Sequence, residues 1–513
     1  MIKTKTINSD KSFDYKLLFV FLAIAAQILI MSYGFYKGGL TADSKNYFFL
    51  AQNILDGHGF WVRDFYSSTG RSYFAVWPVG YSVLIAGFAK VLPVDLVLAS
   101  KLVNIFLIGI VLLVFKRIFG KEAYLFGSVF FLDSVMKLTY RTWVQAPFIV
   151  GFILLSIILY KFYYDRRDRI KWTAATILVG IFLFLIRYDS LTSLIAIAML
   201  GCFLFYKKDF KAFFMLAFAG LAILGFAAAY LYINYLNTGY PTGMARIDNP
   251  EETLWMIQRL VLRLLDELKS PAIAFLLAFI WYKFSDYKPA PRPEKDKNTG
   301  KLWPFFVLVG LTHFFFVVIL RFNMRFDDFG GRMFGPVTIL LVIALLDYLR
   351  AHNKHYALLK TCLMITFVST LLYNAPIKAL ISIGQKNPTY NEYRRALEAR
   401  YSALQPNSIV LFGDYDLIYI RNDVQPASPF PFYGDYIYGK EYDGELKEDI
   451  GKDESIRDYT TRMCGLDISA VYMDILTWKT KHKKDGYKAV EGFIAKYPDH
   501  NMAKMADCLK IKF

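Results

Sequence analysis

Long, nearly uncharged apolar runs limit the folds open to this chain more than any other feature. LLFVFLAIAAQILIMSYGFY (17–36) and ILLVIALLDYL (339–349) are long enough, or nearly so, to cross a hydrocarbon core of ~30 Å as helices. A soluble chain of 513 residues would not carry 56% hydrophobic and 18% aromatic residues, and mean hydropathy is +0.33. The apolar residues come in blocks rather than at amphipathic spacing. The sequence is that of an all-α polytopic membrane protein.

The net charge of +17 invites a nucleic-acid reading, but its placement opposes one. Spans are predicted at roughly 15–36, 97–116, 121–138, 146–163, 172–188, 190–206, 212–235, 271–284, 303–320, 335–350 and 357–376, about 11 transmembrane helices. Connections on one side hold 24 Lys and Arg in 68 residues, against 13 in 97 on the other. By the positive-inside rule the N-terminus and the Pro- and Lys-rich loop 283–301 are cytoplasmic. The first run continues past Ala23 and Ala25 to Tyr36 without a break, so it reads as a retained helix rather than a cleaved signal peptide. An odd number of spans leaves the C-terminus outside, and the chain is expected in the inner (plasma) membrane.

Two external loops are long. The first, 37–96, holds TADSKNYFFLAQNIL, a helix with Thr41 as N-cap, and YSVLIAGFAKVL (81–92), suited to lying at the interface. The second, 236–270, holds the helical stretch ETLWMIQRLVLRLLDEL. From about 377 charge becomes frequent, and SIVLFG (408–413) and ISAVYM (468–473) read as strands, with helices at 391–404 and 487–497. The expected organisation is a transmembrane catalytic domain over 1–376 and a small extracytoplasmic α/β domain over 377–513. Cys202 and Cys362 fall within spans as packing residues, whereas Cys464 and Cys508 lie in the outer domain, where a disulfide could close it.

Chemistry is best sought in the first external loop. Asp43, Tyr47 and Ala51 recur every four residues, so they share one helix face, ahead of Asn53, Gly57, Gly59 and Phe60 and then Trp77-Pro78-Val79-Gly80-Tyr81. A carboxylate just outside a span is well placed as a general base between water and a lipid-linked substrate. An aspartate at a helix start also serves simply as a cap, and spacing alone favours that plainer role. His58, beside two glycines, reads as a surface turn residue. No HExxH, Walker loop or Cys-x-x-Cys is present.

DSKNYFFLAQNILDGHGF followed by WPVGYSVLIAGFAKVL resembles the first external loop of the GT-C superfamily of glycosyltransferases. Protein O-mannosyltransferases and lipid A aminoarabinose transferases belong to it. LIRYDSL (185–191), NYLNTGYPTG (234–243) and GRMFGPVTILLVIAL (331–345) are similar to further family stretches. No single motif is specific; their order and topology together carry the resemblance.

The resemblance implies a glycosyltransferase moving a sugar from a polyprenyl-phosphate donor to a lipid, glycan or protein acceptor at the outer membrane face, with inversion. The sugar would be a hexose or pentose. Asp43 matches the family's catalytic aspartate. Arg332 matches the arginine before the tenth span, where a bidentate guanidinium would meet the leaving phosphate. Arg187, Arg325 and Arg141 are further candidates from that face, and Tyr47, Tyr81 and Asp64 would line the substrate cavity. Some relatives have an acid before the proline matched by Pro78, but here Ala75-Val76-Trp77 stand there. Gln145 stands where some have Glu; Asp64 or Asp327-Asp328 could substitute, although spacing does not single one out. These absences put a bound divalent metal in doubt, and no other cofactor is implied. A transporter or flippase would gather ionisable and Gly/Pro-broken segments at the midplane, while here polar residues gather at the outer loops. A polysaccharide polymerase or ligase would share the donor lipid but lack a separate C-terminal domain.

Overall fold

A computed structural model of the protein describes residues 14–34, 40–63, 71–243, 251–284, 301–324, 329–352 and 356–370, with short pieces beyond, among them 401–404, 408–411, 424–427 and 471–473. The chain divides into two compact units: Met1–Gly39, Ser100–Tyr230 and Ala245–Asn387 form one, and Leu40–Ala99, Leu231–Met244 and Pro388–Phe513 the other.

Helices run in order α1 (Tyr15–Gly34), α2 (Ala42–Leu55), α3 (Gly80–Val91), α4 (Leu96–Phe119), α5 (Ala123–Gly127), α6 (Asp133–Tyr140), α7 (Gln145–Tyr164), α8 (Arg169–Ile186), α9 (Thr192–Tyr206), α10 (Phe210–Thr238), α11 (Thr253–Phe284), α12 (Trp303–Asn323), α13 (Gly331–His352) and α14 (Tyr356–Ser369). Among the described residues, eight helices are long and apolar enough to cross a membrane: α1, α4, α7, α8, α9, α10, α12 and α13. The protein is an integral membrane protein.

Two predicted spans take another form, and a third is described only in part. The stretch predicted as one span over 121–138 is broken: α5 runs into a 3-10 turn (Ser128–Phe131), Leu132 turns extended with ψ 132°, and α6 starts anew at Asp133. A charged residue at 133 begins a helix more readily than it sits inside a span. The predicted span 271–284 is the second half of α11, a continuous 32-residue helix through Pro271 that also contains the predicted loop helix. Proline disfavours helix in the residue before it, which is why the sequence suggested a boundary there. α14 follows the predicted 357–376 as far as Ser369, and most of the remainder lies outside the described residues.

The core of the larger unit is close-packed around α7, which lies against α8, α12 and α13. Phe148, Phe152, Ile153 and Leu155 on α7 are wholly buried, and a Cβ on Gly151 would stand 2.5 Å from a methyl of Leu183 on α8. Glycine here lets the two helices approach. α12 and α13 pair through Gly310 against Leu340 and Leu341. At one end Asp347 on α13 accepts the backbone N–H groups of Leu302 and Trp303, at the start of α12, and pairs with Arg350. An aspartate at a helix N-terminus satisfies donors that would otherwise be orphaned.

In the other unit, α2 begins with the predicted Thr41 cap, the Thr41 N–H donating to Ser44 Oγ at 3.0 Å. β1 (Trp61–Arg63) and β2 (Arg71–Tyr73) form an antiparallel ribbon, and α3 packs on α2. The predicted strands at 408–413 and 468–473 are found as β3 (Ser408–Leu411) and β5 (Val471–Met473). They flank neither end alone: β4 (Val424–Ala427) completes a parallel sheet of order β4-β3-β5. The predicted helix 487–497, Cys464 and Cys508 lie outside the described residues.

Candidate active site

In the unit that holds the first loop, Asp43 occupies the first turn of α2 and is half-buried. Thr41 and Ser44 supply the reciprocal capping bonds, so the cap does not depend on the Asp43 carboxylate. Tyr47 and Ala51, on the same face, are completely buried. The Tyr47 ring meets Tyr81 edge to face at 5.4 Å and Trp77 at 6.5 Å. Tyr47 and Tyr81, expected on a cavity wall, therefore sit in the packing that fixes α2 against α3. Edge-to-face contact is a favoured geometry for aromatic pairs, and the burial removes both tyrosine rings from solvent. The Gly-x-Gly turn is real: Gly57 and Gly59 have φ of 81° and 64°, and Asn53 Nδ2 donates to the Gly59 carbonyl at 2.7 Å. His58 is exposed on that turn. Asp64 lies outside the described residues, as do Arg325, Asp327 and Asp328.

The other unit holds a cavity of about 590 Å³, lined by α6, the residues after it, α11 and the start of α13. Two predicted arginines, Arg141 and Arg332, meet there. Each guanidinium carbon stands 4.5 Å from the ring of Trp143, another wall residue. A face-on aromatic ring steadies a guanidinium without neutralising it. Arg141 has no carboxylate partner among the described residues, and it follows α6 in extended conformation, with φ −74° and ψ 149°.

Gln145, at the start of α7, is completely buried behind them. With its carbonyl oxygen turned to the cations, it accepts from Arg332 Nε at 3.2 Å and from Arg187 Nη1 at 2.8 Å. Arg187 in turn makes a bidentate pair with buried Asp189, at 2.8 and 2.7 Å, over the ring of Phe148. Its charge is thus largely answered within the protein. Arg141, Arg187 and Arg332 form one chain through Trp143 and Gln145, but only Arg141 and Arg332 line the cavity.

Acids share this cavity. Asp133 pairs with Lys137 at 2.6 Å and Asp266 with Arg263 at 3.5 Å. Glu267 lies close enough to Gly331 that a Cβ there would stand 3.1 Å from its Oε1, while its Oε2 is buried without a hydrogen-bond partner. Burial raises the Glu267 carboxyl above its ordinary value; a hydrogen bond with Ser134 and the charge of Lys137 work against the rise. Among the described residues, no group of three His, Cys, Asp or Glu is arranged to hold a metal ion.

Sequence reasoning did not reach Trp143 or Glu267. Trp143 follows Arg141 by two residues, and this aromatic-cation spacing was the available signal. Glu267 was hidden inside an amphipathic stretch, and nothing in its spacing marks it.

Fold and cavity define a helical membrane protein with a pocket in which Arg141 and Arg332 share Trp143. In fold the chain is similar to ArnT. The structure of ArnT from Cupriavidus metallidurans bound to undecaprenyl phosphate aligns with a TM-score of 0.52 and 10% identity, over 80% of this chain and 85% of that one. The same protein in its apo state aligns over the same shares with a TM-score of 0.43 and 12% identity. No family model matches the chain, and no curated protein matches its sequence. The likeness shows the fold, which is the one the resemblance implied.

Proposed function

We propose that the protein is a glycosyltransferase that moves a hexose or pentose from a polyprenyl-phosphate donor to a lipid, glycan or protein acceptor, with inversion at the anomeric carbon. The observation that carries this reading is the pocket in which Arg141 and Arg332 stack on Trp143. Two steadied guanidinium groups suit a phosphate, which gains charge as the anomeric C–O bond breaks. Cations held in place beforehand favour the transition state over the ground state. Arg332 and Arg141 are assigned to the donor phosphate. Arg187, paired with Asp189, acts through Gln145 to orient Arg332. Asp43 is assigned the acceptor's hydroxyl proton, a role its place in the first turn of α2, half-buried, supports. The ArnT structure of similar fold carries undecaprenyl phosphate, which agrees with a lipid-phosphate donor. By charge distribution, the N-terminus faces the cytoplasm of an inner (plasma) membrane, with 37–96 and 377–513 on the opposite side.

The test is incubation of purified protein with a panel of polyprenyl-phosphate sugars and detection of released lipid phosphate. Release that depends on acceptor and is lost in Asp43→Asn supports the reading. A base of this kind commonly contributes about 10²–10⁴-fold in rate. Movement of the lipid between leaflets without cleavage would favour a flippase instead.

A further inference from the structure

Lys101 lies in the second turn of α4, in an otherwise apolar run, and is completely buried. Its Nζ donates to the Tyr140 carbonyl at 2.6 Å and to Thr142 Oγ1 at 2.8 Å. No carboxylate pairs with it among the described residues. A buried ammonium is costly and persists where it has a task. Its neighbours reach the same segment. Ser100 Oγ lies 2.8 Å from Thr142 Oγ1, Asn104 Nδ2 donates to the Thr139 carbonyl at 2.8 Å, and Ser32 Oγ on α1 donates to the Tyr140 carbonyl at 3.3 Å. These bonds flank one residue, Arg141, on both sides, at the point where α6 ends and the chain turns extended.

We propose that Lys101 is a positioning residue: with Ser100 and Asn104 it clamps 139–142 so that Arg141 is aimed into the cavity and onto Trp143. Among the described residues Arg141 is held through this turn and its ring contacts, so the aim of its guanidinium depends on the backbone at 140–142. For its ligand this inference rests on the donor reading above; for its geometry it does not.

Two measurements separate them. The first is hydrogen exchange on the ligand-free protein in micelles. Lys101→Met, similar in length and apolar, should speed exchange of the amides from Tyr140 to Trp143 while α7 and the rest of α4 stay protected. Thr142→Val, which keeps the lysine and removes the shared hydroxyl, should give a smaller change at the same amides. No change at 140–143, or loosening spread over the whole chain, overturns the proposal. The second is affinity for undecaprenyl phosphate. Lys101→Met should weaken it about tenfold or more, in the range of losing hydrogen bonds to a charged group. The same change in an Arg141→Ala background should have little further effect, since one residue acts through the other. Additive losses would overturn the positioning role. If the wild-type protein binds no undecaprenyl phosphate, the donor reading fails, and the exchange experiment still decides the role of Lys101.

Discussion

Trp143 supports Arg141 and Arg332 at once, and its removal is the sharpest single-residue test of the pocket. Each cation–ring contact is worth about 0.5–2 kcal/mol depending on exposure. Trp143→Leu should therefore leave the fold intact while lowering undecaprenyl phosphate affinity by roughly three- to thirtyfold, measured by titration in micelles. Arg332→Lys keeps the charge but loses the planar fork that reaches Gln145 and stacks on Trp143, so affinity and turnover should both fall. Glu267 gives a pH test. Because its carboxyl is raised, the folded protein holds that proton more tightly than the unfolded chain does. The associated stability is complete below the ordinary value of 4.5 and is lost as pH rises through the raised one. Glu267→Gln should thus gain on the wild type in thermal midpoint from pH 4 to pH 8; a variant that loses ground over that interval would contradict the burial argument. Of these residues, Arg141 and Arg332 were legible in the sequence as arginines at the edges of apolar runs. Glu267 and Trp143 became site residues only when α6, α11 and α13 were brought round one cavity, a placement that no local spacing encodes.

At the scale of elements, local chemistry was legible where a single turn decides the outcome. The Thr41 cap, the Gly57 and Gly59 turn and the Pro78-Gly80 opening of α3 all appear as the sequence implies, because each depends on neighbours within a few residues. The turn 239–243 is different. Gly243 has φ 72°, and a Cβ on it would stand 2.5 Å from the backbone carbon of Ala75 and 2.6 Å from the nitrogen of Val76. Two segments about 170 residues apart thus meet backbone to backbone through a glycine. Gly243→Ala adds both the φ penalty and a clash that no side-chain rotation relieves. It should lower the thermal midpoint and speed proteolysis near 75–77, whereas Gly87→Ala, with nothing within 4 Å of its Cβ, should change neither. The broken stretch from α5 to α6 marks the opposite case. Its composition is apolar enough for a span, yet the chain breaks at Leu132, and the helix that restarts at Asp133 packs on α13.

For the whole molecule, topology is the property to test first. Reporter fusions at residue 290 and at the C-terminus should report opposite sides of the membrane; signals from one side would remove an odd number of spans and reverse the faces assigned above. By itself the sequence determined that the chain is a helical membrane protein, most of where its helices lie, and which short turns interrupt them. These follow from hydrophobic length, cap residues and glycine, all of which act within a turn or two of the chain. Only the tertiary structure decided that α11 is continuous through Pro271 and that Tyr47 and Tyr81 are packing rather than lining. It alone decided, too, that Arg187 is answered by Asp189 and that a buried lysine stands behind Arg141. In the bilayer the driving force for helix association is packing and polar pairing rather than apolar burial. The apolar pattern therefore says which segments cross but not which faces meet, and the site is made of faces that meet.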